Sequence, residues 1–293
     1  MALDAAFGFA LTSAVCFASA DMFARFGLQR ANAFVGATII LVGELLLLAL
    51  LLPFLDLEFP SWRIEHLWVM AAGAFNPGLF MIFFMIGIHK IGVARASPIK
   101  GSSPLFGALL AIPILGERPE WYHLMGVALV AAGIAFVSSG KTEGRWRRVD
   151  ALWPLGAALM SGFAAISWRR GLAGFPDVLA ASFIGVASAL LLVGLYTAWT
   201  LRGGKDPGDV RGALPAFLAC GLAAGSGIFL YAHALQRGEV YRVLPFVQMA
   251  PLFTVLLALI FLRRAERITW RIPAGAILTV GGALLVTLQL GPD

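Results

Sequence analysis

Apolar residues fill this chain in blocks of about twenty, each closed by a short polar stretch or one bearing glycine and proline. A hydrocarbon core of about 30 Å needs about 20 residues of helix per crossing. On that scale the chain divides into ten spans, at residues 4–24, 33–55, 66–88, 93–115, 121–139, 150–170, 177–200, 212–235, 240–262 and 270–290. Turn and charge signals part them, as in Leu57-Glu58-Phe59-Pro60, Gly116-Glu117-Arg118-Pro119 and the run from Arg202 to Gly208. A β-barrel needs alternating segments of about ten residues, which the pattern lacks. The first span has no basic stretch before it, since Arg25 follows the apolar run, so it reads as a retained helix rather than a cleaved leader. The expected fold is an all-α integral membrane protein with ten transmembrane helices.

Composition agrees. Of 293 residues, 60% are hydrophobic and 13% charged, with mean hydropathy +0.86, where a soluble domain carries about a quarter charged residues. A soluble enzyme, a disordered regulator and a nucleic-acid binder are all unlike this. The net charge of +6 sits in the links. Odd-numbered links hold 15 Lys and Arg and the opposite side holds 6, with Lys100 left inside a span. The positive-inside rule then puts the odd links in the cytoplasm and both termini outside. Cys16 and Cys220 lie in apolar runs and give no disulfide framework.

The chain also repeats itself. Arg95-Ala-Ser-Pro98 followed by Pro104-Leu105-Phe106 recurs as Arg242-Val-Leu-Pro245 followed by Pro251-Leu252-Phe253, at an offset of 147. Lys90 pairs with Arg237, Gly78 with Gly225 and Leu115 with Leu262 at the same offset. Glu117-Arg118 and Trp121 match Glu266-Arg267 and Trp270, and Arg25-Phe-Gly27-Leu28 matches Arg169-Arg-Gly171-Leu172. Two five-helix units follow, 1–145 and 146–293. Five is odd, so the second unit enters the membrane inverted, and inverted repeats place a substrate site where the units meet.

The duplicated five-helix unit, the R-x-x-P…P-L-F helix, the G-E-R…W…G…G run and Tyr231-Ala-His233-Ala-Leu235 before Gly238-Glu239-Val240 resemble the EamA-type branch of the drug/metabolite transporter superfamily. The resemblance covers nearly the whole chain. It implies a ten-helix bacterial inner-membrane carrier that exports amino acids or other small metabolites, with aromatic amino-acid exporters of the YddG type as the nearest subgroup. Glu44 stands in a second helix where many members carry a basic residue.

Within apolar spans the polar exceptions carry the information. Lys100 lies inside the fourth span, where a basic side chain costs about 2.5–3.5 kcal/mol on insertion scales. Ser97 and Pro104 share its helical face, so this face reads as a wet wall that attracts a carboxylate, or else as a lysine that snorkels to the interface. Glu44 in the second span reads as a structural acid or a proton-coupling one. In the third span Asn76, Phe80, Phe83 and Phe84 fall on one broad face, beside the Pro77-Gly78 pair. Trp168 ends the sixth span, Ser226 and Tyr231 lie in the eighth, and Tyr241 and Gln248 in the ninth. Aromatic walls with a few polar anchors suit a small amphipathic molecule, although such stripes in membrane helices more often pack or face lipid. Pro77, Pro98, Pro104, Pro245 and Pro251 are expected kinks. Arg95 and Arg242 read as gate or headgroup contacts, and Glu117, Arg118, Glu266 and Arg267 as ties between helices.

The expected partners are a small-molecule substrate and the bilayer, the expected state is a monomer, and no cofactor or metal is implied. A proton-coupled multidrug or cation carrier is the second transport reading, with Asp21 as its acid. A carrier of phosphorylated sugars would want several basic groups in place of one Lys100. An intramembrane enzyme or scaffold is the alternative of a different class. The sequence holds no His-Glu-x-x-His pair and no Gly-x-Ser-x-Gly elbow, and its four histidines, His66, His89, His123 and His233, are scattered.

Overall fold

Small residues decide how these helices meet. The computed structural model describes residues 2–52, 64–91, 99–100, 102–138, 147–175, 177–250, 252–253, 256–257, 274–275, 277–279, 281–282 and 285. Its helices are α1 (Ala2–Leu28), α2 (Ala33–Leu51), α3 (Ile64–Gly73), a π-helical segment (Ala74–Leu79), α4 (Phe80–Ile91), α5 (Ser103–Leu115), α6 (Trp121–Ser138), α7 (Leu152–Ala173), α8 (Val178–Arg202), α9 (Val210–Arg237) and α10 (Val240–Val247). Six stretches among the described residues are long and apolar enough to cross a membrane, and α3 and α4 together form one of them, Ile64–Gly87. Helices are the open-ended answer to a lipid solvent, because each satisfies its own backbone. Most of the tenth expected span, 270–290, lies outside the described residues.

Lipid supplies no hydrophobic drive between helices, so close approach depends on residues without bulk. Along α1, Ala6, Ala10, Ala14 and Ala18 form a fully buried stripe at four-residue spacing. This helix runs antiparallel to α9: the Phe9 ring stacks on His233, the Ser13 hydroxyl donates to the Gly227 carbonyl at 2.8 Å, and Gly27 meets Phe217. In contrast α2 runs the same way as α9, with Gly36 at Phe217, Gly43 at Gly221 and Leu47 at Gly225. Gly221 and Gly225 make a Gly-x-x-x-Gly face, and a Cβ on Gly221 would stand 2.5 Å from the Ile40 carbonyl oxygen.

The same pairing recurs with the units exchanged. Antiparallel to α3 and α4 runs α7, with Gly171 at Val69, Ser161 at Asn76 and Gly156 at Phe83. Parallel to α3 runs α8, with Gly185 at Gly73 and Ala189 at Gly78. The closest packing therefore joins α1 and α2 to α9, and α7 and α8 to α3 and α4, mixing the two ends of the chain. Between these groups α2 meets α8, where the Thr38 hydroxyl lies 3.0 Å from that of Thr197. Finally α5 and α10 lie antiparallel, with Ser103 at the start of α5 against Gln248 at the end of α10, and Glu117 beyond α5 against Val240 at the start of α10.

Candidate functional site

The third expected span is broken where the sequence places Asn76-Pro77-Gly78. Asn76 has an extended backbone (φ −146°, ψ 118°) inside the π-helical segment. A break of this kind frees backbone groups that only protein or cavity water can satisfy in a membrane. The Asn76 side-chain amide donates to the Ser161 hydroxyl of α7 at 3.4 Å.

One turn on, α4 presents Phe80 and Phe84, stacked with centroids 5.8 Å apart and planes 22° apart. The Lys100 ammonium stands 5.3 Å from the Phe80 centroid and 4.8 Å from that of Phe84. Two ring faces give the cation a negative quadrupole to rest on in place of bulk water. Phe80, Phe84 and Lys100 are thus brought together, with Asn76 one turn before Phe80; the helical spacing put Asn76, Phe80 and Phe84 on one face but did not pair that face with Lys100.

The other expected site residues are placed variously. Phe83 turns to α7, its ring edge-on to Trp153 at 5.6 Å and its side chain against Gly156. Trp168 is 1% exposed, its ring lies against Gly185, and its indole N–H has no hydrogen-bond partner among the described residues. Tyr231 is buried in the main apolar core, and the half-buried Ser226 donates back to the Leu222 carbonyl of its own helix. Tyr241 packs on Ala108 and Val127 and against the His123 ring, and its hydroxyl accepts from Arg242 at 2.9 Å. Gln248 donates to the Ser103 hydroxyl. Glu44 is buried at the crossing of α2 on Gly221 and Gly225. Of the expected kinks, Pro77 lies in the π-helical segment, Pro104 in the first turn of α5 where a proline is tolerated, and Pro245 near the end of α10. Ser97, Pro98 and Pro251, like Arg95, Glu266 and Arg267, lie outside the described residues.

Charges at helix ends form a second constellation, at the turns where α5, α7 and α9 finish and α10 begins. The Glu117 carboxylate accepts from the Val240 N–H at 2.8 Å and the Tyr241 N–H at 3.3 Å. Arg169 donates to the Leu235 and Gln236 carbonyls at 2.7 and 3.0 Å, and Arg170 to the Ile114 carbonyl. Beside it, a cleft of about 290 Å³ is lined by Asp177, Val178, Leu179, Phe229, His233, Gln236 and Arg237. A wholly apolar groove of about 380 Å³ lies between α3 and α8. Neither is lined by Lys100. Sequence reasoning gave Glu117 a tying role but counted Arg169 and Arg170 only as link charges, and it missed Ser161. The target of each arginine is a backbone carbonyl, which no sequence letter announces.

Among the described residues no three of His, Cys, Asp and Glu gather as a metal site would require. No curated protein sequence matches the chain. A solved structure described as "Crystal structure of protein" superposes with a TM-score of 0.77, covering 97% of this chain and 96% of the other at 17% identity, and establishes a shared fold. The profile of the EamA-like transporter family matches residues 5–139 and again 150–288. These two matches fall one in each half of the internal repeat, so the chain is a duplicated membrane transporter for small molecules and belongs to the EamA-like transporter family.

Proposed function

We propose that this transporter exports small metabolites, amino acids foremost and aromatic ones among them, by alternating access between two inverted five-helix units, 1–145 and 146–293. It works as a monomer in a bacterial inner membrane, with both termini outside and the basic odd links in the cytoplasm. The observation that carries the substrate reading is the Lys100 ammonium seated on Phe80 and Phe84. A carboxylate pairs with the lysine, an aromatic or aliphatic side chain lies on the rings, and Asn76 supplies a hydrogen bond. Ser97, Ser226 and Gln248 are the further hydrogen-bonding candidates, and Phe83, Trp168, Tyr231 and Tyr241 the further walls.

Inversion is supported by the antiparallel course of α5, which carries Pro104-Leu105-Phe106 of the first motif copy, and α10, which carries Arg242-Val-Leu-Pro245 of the second. The paired packing of α1 and α2 on α9, and of α7 and α8 on α3 and α4, supports it too. Two such groups rocking across the α2–α8 contact would expose the lysine to each side in turn. Purified protein in liposomes, loaded with a panel of labelled amino acids and run with and without a pH gradient, tests the proposal. Counterflow of at least one amino acid without chemical conversion is expected. Flux of organic cations alone, or turnover of a substrate, would overturn it.

A further inference from the structure

The junction between α9 and α10 is held from both ends by groups outside it. On one side Glu117, from the α5–α6 link, accepts the first free N–H groups of α10. On the other Arg169, from α7, donates to the last carbonyls of α9. Each charge has the sign that the helix end prefers, an anion at an N-terminus and a cation at a C-terminus. Helix ends leave such backbone groups without intrahelical partners, and both sets are buried here: Leu235 and Val240 are fully covered and Glu117 is 8% exposed. Glu239, at the N-cap position of α10, makes no cap hydrogen bond and pairs instead with Arg242 at 3.1 Å, so Glu117 does the capping from another helix.

The junction itself rides on α1. Gly238 leaves no room for a side chain between Val243 and Ala6, and α9 packs along α1 at Phe9, Ser13, Phe17 and Gly27. Glu117 and Arg169, in contrast, belong to the segments packed around α3, α4, α5 and α7. The Arg169 bonds therefore cross from α7 of one packed group to α9 of the other, and beside them Glu117 ties the start of α10, which meets α1 as well as α5 and α6, to the turn after α5. Resting on the alternating-access reading, we propose that Glu117 and Arg169 are the lock of the gate on the even-link side, clamping the α9–α10 junction while that side is closed and releasing it when that side opens.

Release exposes two N–H groups and two carbonyls to water, which can replace the lost bonds once the face is open. The lock is therefore a two-state contact, satisfied by protein when closed and by water when open. Arg170 on Ile114 joins α7 to α5 within one group and is not broken by the same movement.

The test uses the full chain in vesicles of known orientation, with Cys16 and Cys220 replaced by alanine and a reporter cysteine at the half-buried Ser102, two residues from Lys100. Labelling by a membrane-impermeant maleimide is read from each side, and it needs no transported substrate. Glu117→Ala and Arg169→Met should each raise labelling from the even-link side at least threefold and lower it from the other side. Glu117→Gln, which keeps one acceptor oxygen, should lie between. Equal labelling from both sides in monodisperse variants would overturn the lock, as would a rise on both sides together. As a second arm, Arg169→Cys and Gln236→Cys joined by a short cleavable bis-thiol reagent should stop even-side labelling and restore it on cleavage, so misfolding is excluded. Persistent labelling through the closed crosslink overturns the proposal. A shifted labelling pattern in protein that moves no amino acid would uphold the lock while defeating the substrate reading.

Discussion

Replacing Lys100 with methionine separates a lysine kept for transport from one kept for folding. An unshielded lysine at the centre of a membrane helix costs about 2.5–3.5 kcal/mol. Two ring contacts, at 4.8 and 5.3 Å, return about 0.5–2 kcal/mol each, depending on how far the pair is desolvated. These terms nearly cancel, so Lys100→Met should leave stability within about 2 kcal/mol of the parent, a shift of a few degrees for a chain of this size. Methionine is unbranched and of similar length, which limits the packing change. Transport should respond differently, because a charge-assisted contact to a substrate carboxylate is worth about 1.5–3 kcal/mol, or a loss of about tenfold to a hundredfold in flux at low substrate. The assay pairs thermal unfolding in detergent with amino-acid counterflow in liposomes on the same preparation. Lys100→Arg keeps the charge and should retain a larger share of flux. A Lys100→Met protein that loses more than about 3 kcal/mol of stability yet transports normally would refute the reasoning, since the lysine would then be a structural cation.

Four further outcomes follow from the packing and the helix-end charges. A Cβ on Gly221 would stand 2.5 Å from the Ile40 oxygen and 2.8 Å from the Gly43 Cα, both backbone. Gly221→Val should therefore push α2 off α9 and lower the unfolding midpoint by an amount equivalent to about 1–3 kcal/mol. Gly194→Ala, in mid-α8 with nothing within 4 Å of the new methyl, should raise stability by up to about 1 kcal/mol, and a loss there would show that the site is not open. Phe217 is fully buried against Gly27 and Gly36, so Phe217→Ala should cost about 3–5 kcal/mol, read by the same thermal assay. Burial lifts the Glu117 carboxyl above its ordinary range, and Glu239 adds to this, while the two N–H bonds and Arg169 oppose it without cancelling it. The folded protein thus binds this proton more tightly than the unfolded chain, and the resulting stability, whole below the ordinary carboxylate value, fades as pH rises through the raised one. Arg169 on α7 and Glu239 at the start of α10 are the charges that act on it; Arg242 pairs with Glu239, Arg118 and Glu120 stand in its own link, and His123 of α6 lies against Tyr241. Relative to Glu117→Gln, the parent's midpoint should fall with rising pH across that window, and a pH-independent difference would count against it.

What the sequence shows of this molecule depends on which partner each residue has. Six of the spans, those long enough among the described residues, were legible because lipid imposes a length and a composition on every crossing, and the break at Asn76-Pro77-Gly78 because proline and glycine disturb a helix wherever they fall. Lys100 and the Phe80–Phe84 face were each legible, one as a lone cation in an apolar run and the other by helical spacing, but that the two meet was not, because spacing along one helix does not name its neighbour. Trp168 and Tyr241 show the limit. A helical wheel gives the face each residue occupies but not its neighbour, and here the neighbours are Gly185 for one and Ala108, Val127 and His123 for the other. Arg169 shows a deeper limit, because its acceptors are the Leu235 and Gln236 carbonyls, and backbone groups look alike in every sequence. The same holds for Glu117, whose repetition at Glu266 pointed to a role in the fold without naming the helix end it caps. A carrier has to hold its helix ends together and let them go again. Charged side chains on backbone termini suit that task, because water can take over either half of the bond once the face opens, which it cannot do for a buried apolar contact.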